Sequence, residues 1–64
     1  MLKFTYHSLR RAQERGLNLN IIAERVMRSY LDDKKTRLPA GDMTVVAKRE
    51  GSELVVITAW RNPD

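Results

Sequence analysis

Phe4-Thr5-Tyr6-His7-Ser8-Leu9-Arg10-Arg11-Ala12-Gln13-Glu14-Arg15-Gly16-Leu17 is the stretch that decides how this chain folds. It reads as the end of a short strand, a capped helix and a glycine stop. Thr5 suits the N-cap, because its hydroxyl accepts from a first-turn backbone N–H that has no partner within the helix. The helix then runs from Tyr6 to Arg15, and Gly16 takes the left-handed position just beyond it. Rotating 100° per residue, Leu9 and Ala12 share the inner face, with Tyr6, Ser8 and Gln13 on its borders. His7, Arg11 and Glu14 fall on the opposite side within an arc of about 60°. Arg10 and Arg15 bracket them.

Upstream, Leu2, Phe4 and Tyr6 alternate with Lys3 and Thr5 as a half-buried strand does. Downstream, Asn18 is a good N-cap, and Leu17 with Ile22 has the spacing of a hydrophobic staple. Leu19, Ile22, Ala23, Val26, Met27, Tyr30 and Leu31 then recur at helical spacing, which predicts a second helix through about Asp32. From Asp32 to Gly41 the pattern is polar and carries Pro39 and Gly41, so this segment reads as a loop. Its Lys34, Lys35 and Arg37 form a mobile basic cluster.

Met43 to Arg49 and Ser52 to Arg61 read as two strands joined at Glu50-Gly51. With that turn Lys48 faces Glu53, Ala47 faces Leu54, Val46 faces Val55 and Val45 faces Val56. The run Leu54 to Trp60 is apolar on both faces, which suits a central strand with the N-terminal strand on its free side. The expected architecture is α+β. A short N-terminal strand and two helices precede a β-hairpin, giving a small antiparallel sheet with both helices on one face. Met43, Val45, Ala47, Leu54, Val56 and Trp60 would face the helices. Val46, Val55, Ile57 and Ala59 would line the outer side, an apolar patch that suits a second copy or another protein. The chain's own Arg61 to Asp64, or a loop, is the alternative cover.

At 64 residues the chain is one domain, residues 1–64, with a thin core. It has no cysteine, so neither a disulfide nor a thiolate metal site is available, and no cofactor or metal is expected. No apolar run is long enough for a signal peptide or a membrane span, so a cytoplasmic location is the default expectation. Twelve Lys and Arg against eight Asp and Glu give a net charge of +4, with a pI near 10.0. Such an excess favours polyanions, nucleic acid first and acidic proteins second.

There is no Walker loop, dinucleotide fingerprint, zincin motif or nucleophile elbow. What remains is the chain's one histidine, His7, among guanidinium groups. An imidazole and neighbouring cations suit phosphodiester chemistry: a proton acceptor near neutral pH, and charges that offset the negative charge building on phosphorus oxygens. The plainer reading is the solvated face of an amphipathic helix, with Arg10 and Glu14 an ordinary i, i+4 pair. Tyr6, Tyr30 and Trp60 read as core, Trp60 beside Arg61 being the best case for a stacking residue.

The segment Phe4 to Leu17 resembles the opening of a family of small bacterial domains of unknown function. That pattern runs Phe, Ser or Thr, any residue, His, Ala or Ser, two residues, Arg, two residues, Glu-Arg-Gly, then Ile or Leu. Lys48 to Trp60, K-R-E-G-S-E-L-V-V-I-T-A-W, looks like the family's closing hairpin. The family is grouped with the RelE-like toxins and the wider barnase, EndoU, colicin and RelE assembly of small RNases. The resemblance implies a minimal RelE-like α+β fold and metal-independent RNA cleavage by attack of the ribose 2′-OH. It implies His7 as the base, with Arg11 and Arg15 on the scissile phosphate. Arg10, Lys34, Lys35, Arg37, Lys48, Arg49 and Arg61 would contact RNA. A toxin of this kind would have a neutralising antitoxin, or form a homodimer, through Val46, Val55 and Ile57. The alternative is a non-catalytic module that binds nucleic acid or protein, or a small regulatory or phage-type protein.

Overall fold

Six elements follow one another in a computed structural model of the chain, described for residues 1–63. They are β1 (Leu2–Phe4), α1 (Tyr6–Glu14), α2 (Leu19–Met27), β2 (Thr36–Ala40), β3 (Met43–Glu50) and β4 (Glu53–Arg61). The strands form one sheet in the order β1-β4-β3-β2. Neither helix is long and apolar enough to cross a membrane.

The caps decide α1. Thr5 Oγ1 accepts from the Ser8 N–H at 3.0 Å, and Ser8 Oγ donates to the Thr5 carbonyl at 2.8 Å. That reciprocal pair lets Ser8 be buried at 1% exposure with its hydroxyl satisfied. At the far end Leu17 N–H donates to Ala12 O and Gly16 N–H to Gln13 O, with Gly16 at φ 65. This is a Schellman closure, and it carries Leu17 into the core beside Ala12. The buried stripe of α1 centres on Ser8 and Ala12, not on Leu9 and Ala12 as expected. Leu9 is left 36% exposed and Tyr6 80%.

Asn18 caps α2 by accepting from the Asn20 and Ile21 N–H groups. The helix ends at Met27, about five residues earlier than expected, for a physical reason. Ser29 Oγ donates to the Arg25 carbonyl and Ser29 N–H to Val26 O, which tightens the last turn. Tyr30 is consequently 95% exposed, while Leu31 reaches the core from the following loop. Ile22 and Val26 are fully buried and supply most of the helix's apolar anchorage.

The expected loop before the hairpin contains β2, antiparallel to β3 with Leu38 opposite Val45 and Ala40 opposite Met43. Leu38 and Ala40 alternate inward and Arg37 and Pro39 outward. Pro39 is tolerated because β2 is an edge strand, where a missing N–H costs no ladder bond. Its carbonyl accepts from Arg25 Nε at 2.6 Å, tying α2 to that edge.

The β3–β4 register differs from the expected one by two residues. Glu50 pairs with Glu53, Lys48 with Val55 and Ala47 with Val56. The turn residues are Gly51 and Ser52, because the positive φ of 61 must fall on the glycine as the first of the two. Lys48 therefore lies opposite Val55 and forms its ion pair with Glu50 on its own strand, at 3.0 Å. Further along, Ala47 pairs with Val56 but Val46 with Thr58, so Ile57 is an extra residue, a β-bulge. The bulge reverses the alternation: Ala59 turns into the core at 1% exposure, and Trp60 turns to the outer face instead of towards the helices.

β1 pairs with β4 in parallel, Leu2 opposite Leu54 and Phe4 opposite Val56. The sheet is thus mixed and four-stranded rather than a purely antiparallel one built on a hairpin, with β4 central as its two-sided apolar run implies. Both helices lie on one face of it. Ala12, Ile22, Val26 and Leu31 pack there with Leu38, Ala40, Met43, Val45, Ala47, Val56 and Ala59, with Leu54 beside them. The C-terminal segment continues past β4, where Asn62 N–H donates to Asp42 O. Asp64 lies outside the described residues.

Candidate functional site

His7, Arg10, Arg11 and Glu14 recur at helical spacing on the open side of α1 and line a recess of about 200 Å³. Glu14 sits between the two arginines. Arg10 Nε donates to Glu14 Oε2 at 3.3 Å, and Arg11 Nη1 to Oε1 at 3.5 Å. Ion pairs this exposed contribute about 0–1 kcal/mol, so either guanidinium can turn to an arriving phosphate at little cost. The first turn of α1 carries no acidic residue. His7, at the second helical position, therefore stands near the uncompensated positive end of the helix.

Arg15, expected beside His7 and Arg11, does not line this recess. β1 stops at Phe4, so β4 beyond Val56 has no strand on that side. Thr5 N–H meets Val56 O at 3.2 Å, and Thr5 Oγ1 donates to Ile57 O at 3.4 Å. Arg15 Nη1 donates to Ala59 O at 2.6 Å. Adjacent carbonyls on one side are the signature of the bulge, and Arg15 closes the edge that the short β1 leaves open. Its role is to hold α1 on β4.

The other expected contacts divide three ways. Arg49 is structural: its side chain donates to Leu31 O at 3.1 Å and its N–H to Asp32 O at 2.7 Å, fastening the chain after α2. Arg61 pairs with Asp42 at 3.2 Å beside the β2–β3 turn. Lys34 and Lys35 are exposed in the turn before β2, where Asp32 accepts from the Lys34 N–H. Arg37 and Lys48 belong to the outer face of the sheet, together with Lys3, which lies opposite Val55. Lys48 holds the Glu50 carboxyl below its ordinary range, by its hydrogen bond first and its charge second, with a smaller contribution from Lys3.

On that outer face Arg37 lies over the Trp60 ring, 5.9 Å from the centroid. Val46 is half-buried, as is Ile57 at the bulge, but Val55 is only 3% exposed. The apolar patch expected from Val46, Val55 and Ile57 is therefore smaller than the sequence suggests, and the half-buried Trp60 adds its ring to it. No pattern in the sequence marks Trp60 as an outer residue, because its face depends on one bulged residue three positions earlier. The two basic groups, His7 with Arg10 and Arg11 on α1 and Arg37 with Lys48 and Lys3 on the sheet, lie on opposite sides of the molecule. No family model matches the chain, and comparisons with curated proteins and with solved structures likewise find no match.

Proposed function

We propose that the chain is a small toxin-type ribonuclease that cleaves RNA without a metal ion, with the α1 recess as its reaction centre. The observation that carries this reading is the convergence of the one imidazole with two guanidinium groups in a single solvent-facing recess. Histidine as a residue type exchanges protons near neutral pH. His7 takes the proton of a ribose 2′-OH, and the 2′-oxygen attacks the adjacent phosphorus. The bond from phosphorus to the 5′-oxygen breaks, and that oxygen leaves with a proton from water. The products are a 2′,3′-cyclic phosphate and a 5′-hydroxyl, and the imidazolium returns its proton to solvent. Arg10 and Arg11 offset the charge that grows on the phosphate oxygens. The resemblance of Phe4 to Leu17 and of Lys48 to Trp60 to a small-domain family grouped with the RelE-like toxins supports the same reading.

The test is cleavage of a single-stranded RNA by the purified protein in EDTA, with product ends checked for the cyclic phosphate. Cleavage by the wild type and its loss in His7→Ala is the expected result. Equal rates would return His7 to the solvated face of a helix. A second reading, a binding module without chemistry, is favoured by one feature: the carboxylate of the recess, Glu14, is already paired with Arg10 and Arg11, as on an ordinary solvated helix face. RNA that binds and stays intact would establish it. Expression in cells adds an independent arm, because a toxin-type nuclease arrests growth and a binding module need not.

A further inference from the structure

Reading across the sheet, the outer face forms three rows. Pro39, Thr44 and Trp60 make the first; Arg37, Val46 and Thr58 the second; Lys48, Val55 and Lys3 the third. Rows two residues apart along a strand are separated by about 7 Å, so a strip of about 14 Å carries an aromatic ring at one end and cations beyond it. Arg37 has no carboxylate within 4 Å among the described residues, and its guanidinium already lies over the indole. The acidic residues of this face, Glu50 and Glu53, are confined to the far end beside the turn, where Lys48 holds Glu50.

We infer that this face binds single-stranded RNA, with a base stacked on Trp60 and the Arg37 guanidinium, and the following phosphates tracked by Lys48 and Lys3. A flat ring that accepts any base, followed by cations at regular spacing, matches a flexible polyanion whose bases are unpaired. In a duplex the bases are stacked on one another and offer no face to Trp60. A second copy is the competing occupant. Against it, a face with cations in two of its three rows brings like charges together in a symmetric dimer, and Val55 is already covered. The inference deepens the ribonuclease reading by naming single strands as the substrate class, but it uses residues on the other side of the molecule from His7.

The chain has one tryptophan, so its fluorescence reports on this face alone. The experiment titrates the protein with a ten-residue oligouridylate made uncleavable by 2′-O-methyl groups, and with a ten-base-pair RNA duplex, at low salt. The single strand should quench Trp60 and bind at least tenfold more tightly than the duplex. In anisotropy with labelled oligouridylate, Trp60→Leu should weaken binding about tenfold, with Trp60→Phe restoring part of it. Arg37→Ala should weaken binding and flatten its salt dependence. His7→Ala should leave the quenching unchanged, so a failure of cleavage and a failure of this inference are separate results. Absence of quenching, or equal affinity for the duplex, overturns it. So does a fluorescence change with protein concentration alone, which would show a second copy on the face.

Discussion

The open side of α1 and the outer face of the sheet are both basic, yet they are built by different physics. On α1 the cations are neighbours in sequence, brought together by helical spacing and already answered by Glu14 on the same helix. On the sheet, Arg37, Lys48, Lys3 and Trp60 come from four strands and meet only through register, and Arg37 is answered by a ring rather than a carboxylate. A locally built charge cluster survives errors in tertiary packing. A cluster built across strands does not, and the bulge at Ile57 is what puts Trp60 in it.

Both faces rest on one core, so the largest effect should come from breaking it. Ile22 is fully buried, and Ile22→Ala should cost about 2–5 kcal/mol. That is a large share of a small domain's stability, and denaturant unfolding would measure it. Both faces should fail together, whereas an unchanged midpoint would mean that α2 does not pack on the sheet.

Next in size, His7→Ala should lower RNA cleavage on the order of 100-fold while single-strand affinity and the melting temperature stay put. If affinity falls in step with the rate, the two faces act as one site and the contrast between them is wrong.

Arg15→Ala separates a structural cation from a catalytic one. Losing a charged hydrogen bond at the β4 edge should reduce stability by about 1–2 kcal/mol. The cleavage rate of the folded protein should not change, because the guanidinium is held at Ala59 O. A rate loss without a stability loss would put Arg15 back beside His7.

The smallest effect belongs to the sheet. Glu50 is held below its ordinary carboxylate range by Lys48. Its pairing therefore contributes above the unfolded-state value and is lost as pH falls through the lowered folded one. In Lys48→Ala, carboxyl-carbon NMR titration should find Glu50 back near the usual range for a glutamate. An unmoved Glu50 would show that Lys48 points away along the strip.

The elements whose ends are written in local chemistry were legible in advance. Thr5, Gly16 and Asn18 mark helix ends because capping depends on residues within one turn of each other. Sequence periodicity misled where a side chain made a competing hydrogen bond or where the partner was distant. Ser29 closed α2 before the apolar pattern ran out, and Thr36–Ala40 became a strand because β3 offered it a ladder. The candidate site divides the same way. His7, Arg11 and Glu14 share a face by rotation alone, while the exclusion of Arg15 follows from where β1 stops.

From sequence alone come the α+β class, the helix starts, the central place of the Leu54–Trp60 run and the grouping of His7 with Arg11 and Glu14. All of these depend on spacings within a few residues. Tertiary structure alone decides the parallel β1–β4 pairing, the four-strand order, the register set by Gly51-Ser52 and the outward turn of Trp60. A strand's faces alternate with a period of two, so one extra residue in a ladder exchanges inside for outside. Nothing in the run Val55-Val56-Ile57-Thr58, apolar on both sides, marks which residue will be the extra one.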